Sequence, residues 1–425
     1  MRLVWSITVV LVLACALFVS PASGQSSYQN AVNATTPLFH WSLGEISGVA
    51  VERVHPEIVP GAGNNPRLDG SYRGPGKGYY SSTDNTLARG ATGLPIPGTW
   101  DSGGVSIADA SAAQDYGSGT NGGLSDVRIP GRSCQYSPLT GTCTPLAMMG
   151  LQAFTANVWV FWNGYRTVVH SETLHRNPDN GIIGSPCWAS TCNWSGWYLD
   201  IKGKLFNPQT DSPATGQLRF VRRGYVNGQN TTSELLAPAG QIPTGQWTMV
   251  TASYDGTTMK LYVNGQTVAS ATSTVNIQGA PAYAYIGGHP TSGSGTYGYL
   301  EGTADEATIW RRALTDTELQ SIYQSGLPSP TTQPRILGEL SSVGETATAD
   351  PGVWDSTTTL TYQWYRCTTA GNCTLIPAAG STYVISPDDA GHRLRVRVTA
   401  VLYLARSKYS VCYVYWIRKK RWAGV

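Results

Sequence analysis

The chain has 425 residues, a formal charge of +3, 13% charged residues, 48 glycines, 14 tryptophans and 23 tyrosines. Much of the positive charge (Arg406, Lys408, Arg418, Lys419, Lys420, Arg421) crowds the C-terminal end, so the rest lacks the broad basic field that nucleic-acid binding needs. Abundant Gly, Ser and Thr with many Tyr and Trp point to an all-β extracellular protein, and about 400 residues beyond a leader imply two domains.

The chain opens with Arg2, the apolar run LVWSITVVLVLACALFV (3–19) and the small-residue sequence PASGQ. Ala22 and Gly24 suit the positions before a cleavage site, so residues 1–24 read as a secretory signal peptide. The run is short for an uncleaved anchor, and apolar residues continue past Cys15, unlike a lipoprotein signal. The expected location is secreted or extracellular, with cell-surface association, and no membrane span in the mature chain. Cys15 leaves with the leader. Cys134 and Cys143, Cys187 and Cys192, and Cys367 and Cys373 then form three close sequential pairs, expected as local disulfides in an oxidising compartment. No pair has the CxxC spacing of a metal site, and Cys412 is left over.

FTANVWVFW (154–162) and GWYLDI (196–201) read as strands. GWYLDI puts Trp197 and Leu199 on one face, as core. The strongest hairpin signal is WTMVTASYDGTTMKLYVNGQTVASA (247–271). Its alternation predicts Met259, Leu261 and Val263 on one face and Lys260 and Tyr262 on the other, with turns at Asp255-Gly256 and Asn264-Gly265. One segment reads as helix, LTDTELQSIYQSG (314–326), with a Thr315/Glu318 capping box, a Leu314/Leu319 staple and Gly326 to end it. The proline-rich SGLPSPTTQP (325–334) marks a boundary. The expected layout is therefore a large unit over 35–326, a linker over 327–334, a small unit over 335–417 and a basic tail over 418–425. Residues 401–425 have three readings: a last hairpin, an apolar-then-basic tail, or a translated frameshift.

TPLFHWSLGEISG (36–48), the two strands above, the long hairpin and YLEGTADEATIWRRALTDTELQSIYQSG (299–326) occur in an order that resembles LamG-like jelly-roll domains of the concanavalin A-like superfamily. The resemblance implies an all-β jelly-roll sandwich of two large antiparallel sheets. GETATADPGVWDSTTTLTYQWYRC and the residues that follow, to Ala400, resemble immunoglobulin-like repeats of secreted bacterial proteins. This implies a second, small β-sandwich with Trp364 in its core and Cys367–Cys373 as a hairpin bridge.

The superfamily includes endoglucanases, whose retaining members need two carboxylates about 5–5.5 Å apart. The ExDxxE pattern of laminarinase-type members is missing, as are GxSxG, HExxH and phosphate-loop motifs. Asp305-Glu306 is the nearest acidic pair, and adjacent strand residues are expected on opposite faces. His170 and His175 read as ordinary polar residues. The implied function is a secreted, non-catalytic binding module for an extracellular glycan or surface polymer, without nucleic acid. The alternative is a structural or adhesive segment of a cell-surface protein, and a glycoside hydrolase ranks third. The resemblance also implies a structural Ca²⁺, with Asp305 and, more weakly, Glu45 as ligands. Two carboxylates fall short of the roughly six to eight oxygens that Ca²⁺ takes, and turn or sheet-edge hydrogen bonds compete for both. Trp188 and Trp194, in and beside the Cys187–Cys192 loop, either cap the sandwich end or form an aromatic platform for sugar rings.

Overall fold

The computed structural model describes residues 27–41, 43, 71–73, 88–92, 103–107, 126–130, 153–165, 167–169, 175–177, 179–186, 195–211, 216–277, 283–290, 297–327, 330–338, 342–354, 359–401 and 412–418. The chain divides into two compact units, Tyr28–Gln324 and Ser325–Val425.

With elements numbered in chain order, the described residues of Tyr28–Gln324 form two large antiparallel sheets. One runs β16 (Gln266–Thr272), β15 (Thr258–Val263), β14 (Trp247–Tyr254), β6 (Phe154–Trp162), β20 (Gly302–Trp310), β4 (Gly103–Ile107) and β3 (Ala88–Thr92), with β1 (Phe39–Trp41) also on β20. The other runs β13 (Gln229–Leu236), β12 (Gln217–Val226), β10 (Gly196–Lys202), β9 (Asn180–Pro186), β17 (Tyr283–Ile286), β5 (Asp126–Pro130) and β2 (Ser71–Arg73). Smaller pieces are the sheet β11 (Lys204–Phe206), β8 (His175–Asn177), β7 (Val168–Val169) and the hairpin β18 (Gly288–Pro290), β19 (Tyr297–Tyr299). This is the all-β jelly-roll sandwich that the sequence implied.

Period-two alternation builds the core between the sheets. Phe154, Ala156, Val158, Val160 and Trp162 of β6 face Trp197, Leu199 and Ile201 of β10 and Leu218 and Phe220 of β12. Met259, Leu261 and Val263 join them, so that hairpin has the expected face inward. Each such large side chain contributes about 1.5–3 kcal/mol on burial. Asn264 (φ 53°) and Gly265 (φ 74°) form the tight turn between β15 and β16, and Asn227 (φ 51°) and Gly228 (φ 78°) close β12–β13 in the same way.

The other face of the larger sheet is covered by helices. α2 (Asp316–Ser325) starts at the expected capping box: Thr315 N donates to Glu318 Oε2 (2.8 Å) and Glu318 N donates to Thr315 Oγ1 (3.2 Å). Leu314 and Leu319 are buried, and Lys260 and Tyr262 reach Asp316 from β15. A second helix, α1 (Ser27–Ala34), was not expected from the sequence. Its eight residues place no acidic group in the first turn and no basic group in the last, and isolated helices of that length are marginal. Packing holds it: Tyr28 and Val32 are fully buried, Trp159 Nε1 donates to Tyr28 Oη (3.1 Å), and Trp310 Nε1 donates to Thr35 Oγ1 (2.9 Å).

In the second unit, β21 (Pro330–Thr332) pairs β24 (Val353–Trp354), so part of the expected linker enters a sheet. β22 (Arg335–Leu337), β23 (Thr346–Asp350) and β27 (Thr382–Val384) form another sheet. β26 (Cys373–Ile376), β25 (Thr359–Cys367), β28 (Arg393–Val401) and β29 (Cys412–Arg418) form a third. Trp364 is fully buried among Ile376, Leu394, Val396 and Val398, and donates through Nε1 to Gly380 O (3.0 Å). Cys367 and Cys373, a cross-strand register pair, are joined by a disulfide. Cys412–Arg418 forms β29, which pairs antiparallel with β28. Among the described residues no helix is long and apolar enough to cross a membrane.

Candidate functional site

Strand alternation sends Tyr198 and Asp200 of β10, and Arg219 and Val221 of β12, away from the sandwich core. Cross-strand register then sets Glu234, Val221, Tyr198, Gly184 and Tyr285 side by side across β13, β12, β10, β9 and β17. Gly184 occupies its place in this row because no side chain fits. A Cβ there would lie 2.6 Å from Tyr198 Cβ and 2.8 Å from Trp197 O.

Beside the row lies an ionic cluster centred on Arg219. Its Nε donates to Asp200 Oδ1 (2.9 Å), and its Nη2 donates to Asp200 Oδ2 (2.5 Å) and Asp179 Oδ2 (2.8 Å). Its Nη1 stands 3.5 Å from Glu234 Oε2, while Lys202 Nζ donates to Glu234 Oε1 (2.7 Å). Asp179 Oδ1 also accepts from Gly203 N (2.6 Å), and the hairpin β18–β19 approaches it closely, since a Cβ on Gly298 would meet Asp179 O at 2.7 Å. Side-chain exposure grades outward, from 0% at Asp200 and 10% at Arg219 to 23% at Asp179, 34% at Lys202 and 35% at Glu234. Lys202, Glu234 and Asp179 are therefore the groups a ligand can reach. Burial works against the Arg219 charge, but the adjacent Asp200 carboxylate outweighs it and holds the guanidinium above its usual value. Burial, then the Asp200 charge, also pushes the Tyr198 hydroxyl up, so it stays a neutral donor.

Two other polar groups are closed to a sugar. Arg222 is on the core side, 3.5 Å above the Tyr254 ring, and donates to Val275 O (3.2 Å). Burial pulls it down to about 10. On the larger sheet, buried His40 Nε2 lies 2.7 Å from Oε2 of the equally buried Glu306. Burial, then the Glu306 charge, raises the Tyr28 hydroxyl well above its usual value.

The sequence expectations distribute as follows. Asp305 is buried, and its Oδ1 accepts from Glu306 N (2.9 Å). The expectation that Asp305 and Glu306 point to opposite faces is corrected. A bulge interrupts the register between Asp305 and Thr308, Glu306 takes φ 50°, and the charges of both carboxylates bear on Tyr28. Among the described residues no three His, Cys, Asp or Glu side chains are grouped to hold a metal ion. Glu45, Trp188, Trp194, His170, Cys134, Cys143, Cys187 and Cys192 lie outside the described residues, and His175 is on β8. β9 ends at Pro186 and β10 begins at Gly196. Sequence reasoning missed Asp179, Tyr198, Asp200, Lys202, Arg219 and Glu234. Their signal is the polar half of the alternation in GWYLDIK and QLRFVRR, whose apolar half marks the core.

The sequence model of the concanavalin A-like lectin/glucanases superfamily matches residues 140–320, less than half of the chain. No curated protein matches. Among solved structures, the chain is similar to the Ruminococcus gnavus IT-sialidase CBM40 bound to alpha2,3 sialyllactose (15% identity, 50% of this chain and 100% of that one, TM-score 0.32). It is also similar to the Botulinum neurotoxin serotype D ligand binding domain in complex with N-acetylneuraminic acid (10% identity, 93% and 81% covered, TM-score 0.37). A third is the native heptameric SAP-like pentraxin from Limulus polyphemus (16% identity, 40% and 70% covered, TM-score 0.28). At these scores the likeness carries no argument about ligand or activity.

Proposed function

We propose that the chain is a secreted, non-catalytic carbohydrate-binding protein whose ligand meets Tyr28–Gln324 on the outer face of the seven-stranded sheet. The family match names two chemistries, binding and glucan hydrolysis. One observation favours binding: Asp179, Asp200 and Glu234, the carboxylates gathered on the outer face, are each engaged by Arg219 or Lys202. A glycosidase needs one carboxyl free to protonate the leaving oxygen and another free to act as nucleophile or base. Cations locked on all three oppose both roles. The same groups suit a sugar, because Lys202, Glu234 and Asp179 offer donors and acceptors at the accessible rim.

In this reading Trp188 and Trp194, between β9 and β10 in the sequence, supply an apolar platform apart from that rim, stiffened by a Cys187–Cys192 bridge. A stiffened loop loses less entropy on binding, and a few aromatics dominate such energies. The second unit is read as an immunoglobulin-like spacer, supported by the Trp364 core and the Cys367–Cys373 bridge. The test is a glycan array probed with the full chain, with calcium and with chelator, followed by product analysis on every bound glycan. Selective retention without new reducing ends is the expected result. Release of reducing ends would restore the hydrolase, and no retention on any glycan would leave the structural or adhesive role.

A further inference from the structure

Alternation along β12 turns Arg222 inward with Leu218 and Phe220, and only 2% of it is exposed. Its register partners are Trp197 on β10 and Ser233 on β13. The Phe154 and Tyr254 ring centres lie 6.0 and 3.5 Å from its guanidinium carbon. Nη2 donates to Val275 O (3.2 Å), but Nε and Nη1, both buried, meet no acceptor among the described residues. Nor does a carboxylate among them bear on this charge, which answers to burial and to Tyr254. Burial lowers the guanidinium only to about 10, so at neutral pH it stays a cation.

Neither the rings nor water accounts for this cation. A ring stacked on a guanidinium meets its flat face, whereas the N–H groups radiate in its plane. A buried water accepts from an N–H but leaves the charge uncompensated. An unpaired charge in an apolar core is strongly unfavourable, and what offsets it is a counter-charge that also accepts its hydrogen bonds. The polar groups around Arg222 are rich in donors. Ser273 Oγ donates to Ser233 Oγ (2.9 Å), so the Ser233 hydroxyl keeps its own hydrogen for a further acceptor. Val275 N donates to Ser273 Oγ (3.4 Å), and Tyr254 Oη donates to Ser273 O (2.9 Å). The enclosing segment is pressed onto β12. Tyr225 and Asn276 exchange backbone hydrogen bonds of 2.8 and 3.0 Å, and a Cβ on Gly224 would meet Asn276 O at 2.1 Å.

We propose that a small monovalent anion, of the size and charge of chloride, is enclosed beside Arg222 as a structural part of the sandwich. It accepts from Nε or Nη1 and from the Ser233 hydroxyl, with water serving the other nitrogen. The close seating of Asn276 on β12 favours a single-atom ion over a sulfate, a phosphate or a sugar acid. The ion ties β12 to β13 and to the segment that follows β16, where Ser273 and Val275 lie. This site is independent of the glycan reading, because Arg222 is on the inner face of the sheet and Arg219 on the outer.

The test is calorimetric melting of the full chain at fixed ionic strength, with sodium chloride or sodium bromide replacing sodium gluconate. The melting temperature of the first unit should rise by about 2–4 °C for each tenfold increase in halide beyond its Kd, because the folded state alone holds the ion. In Arg222→Met, which keeps an apolar stem and removes the charge, the halide and gluconate curves should coincide. If that variant does not fold, anomalous scattering from crystals of the wild-type chain grown in bromide decides the matter. A bromide peak is expected within hydrogen-bond distance of Arg222 Nε or Nη1. Equal melting in halide and gluconate, or a halide effect that survives Arg222→Met, would overturn the proposal. So would bromide confined to the surface as an adventitious ion only, or a carboxylate of the chain itself found against Arg222.

Discussion

Arg219 holds the outer-face cluster together, and its removal exposes how much that cluster depends on one cation. Arg219→Met leaves Asp200, with no exposed side-chain surface, without its bidentate partner. Breaking a buried pair from one side costs about 3–5 kcal/mol, so urea unfolding should show a loss of that order. The double variant Arg219→Met/Asp200→Leu should recover most of it, because no uncompensated charge remains. Gly184→Ala should cost about 1–3 kcal/mol by driving a methyl group into Tyr198. At this scale the sequence was half legible. Trp197 and Leu199 declared the core through their apolar character, while Tyr198 and Asp200, on the same strand, became a site only once β12 set Arg219 opposite Asp200.

The elements differ in how much of their cause is local. α2 was legible because its start signal is encoded within four residues, Thr315 to Glu318, and its staple leucines sit on either side. Glu318 also binds Arg312 at 2.6 Å, and that bond pulls its carboxyl from the ordinary 4.5 to about 2. A depressed value in the folded state stabilises above the ordinary value, and the gain is lost as pH falls through the folded one. Glu318→Gln should thus lower stability at neutral pH by about 0.5–1 kcal/mol, the scale of a partly exposed pair. The difference from wild type should shrink below pH 4.5 and vanish near pH 2 in pH-dependent thermal melts. α1 was illegible for the opposite reason: its stability comes from Trp159 and Trp310, more than a hundred residues away. The bulge in β20 was hidden too, since Glu306 reads as an ordinary strand residue until its positive φ and its His40 contact appear.

At the scale of the molecule, turn pairs and alternating strands made an all-β chain legible. Within the proline-rich segment, Pro330–Thr332 pairs with β24. The candidate site was less legible because it depends on groups brought together across strands. Here Asp179, Lys202, Arg219 and Glu234 come from separate stretches of the chain. The most direct test of the binding account is the affinity of the full chain for the glycan it retains best, measured by calorimetry beside Trp188→Ala/Trp194→Ala. The account predicts at least about a tenfold loss of affinity in the variant with an unchanged melting temperature, since a few aromatics carry most of such binding energy. Unchanged affinity, with or without a lower melting temperature, would contradict it.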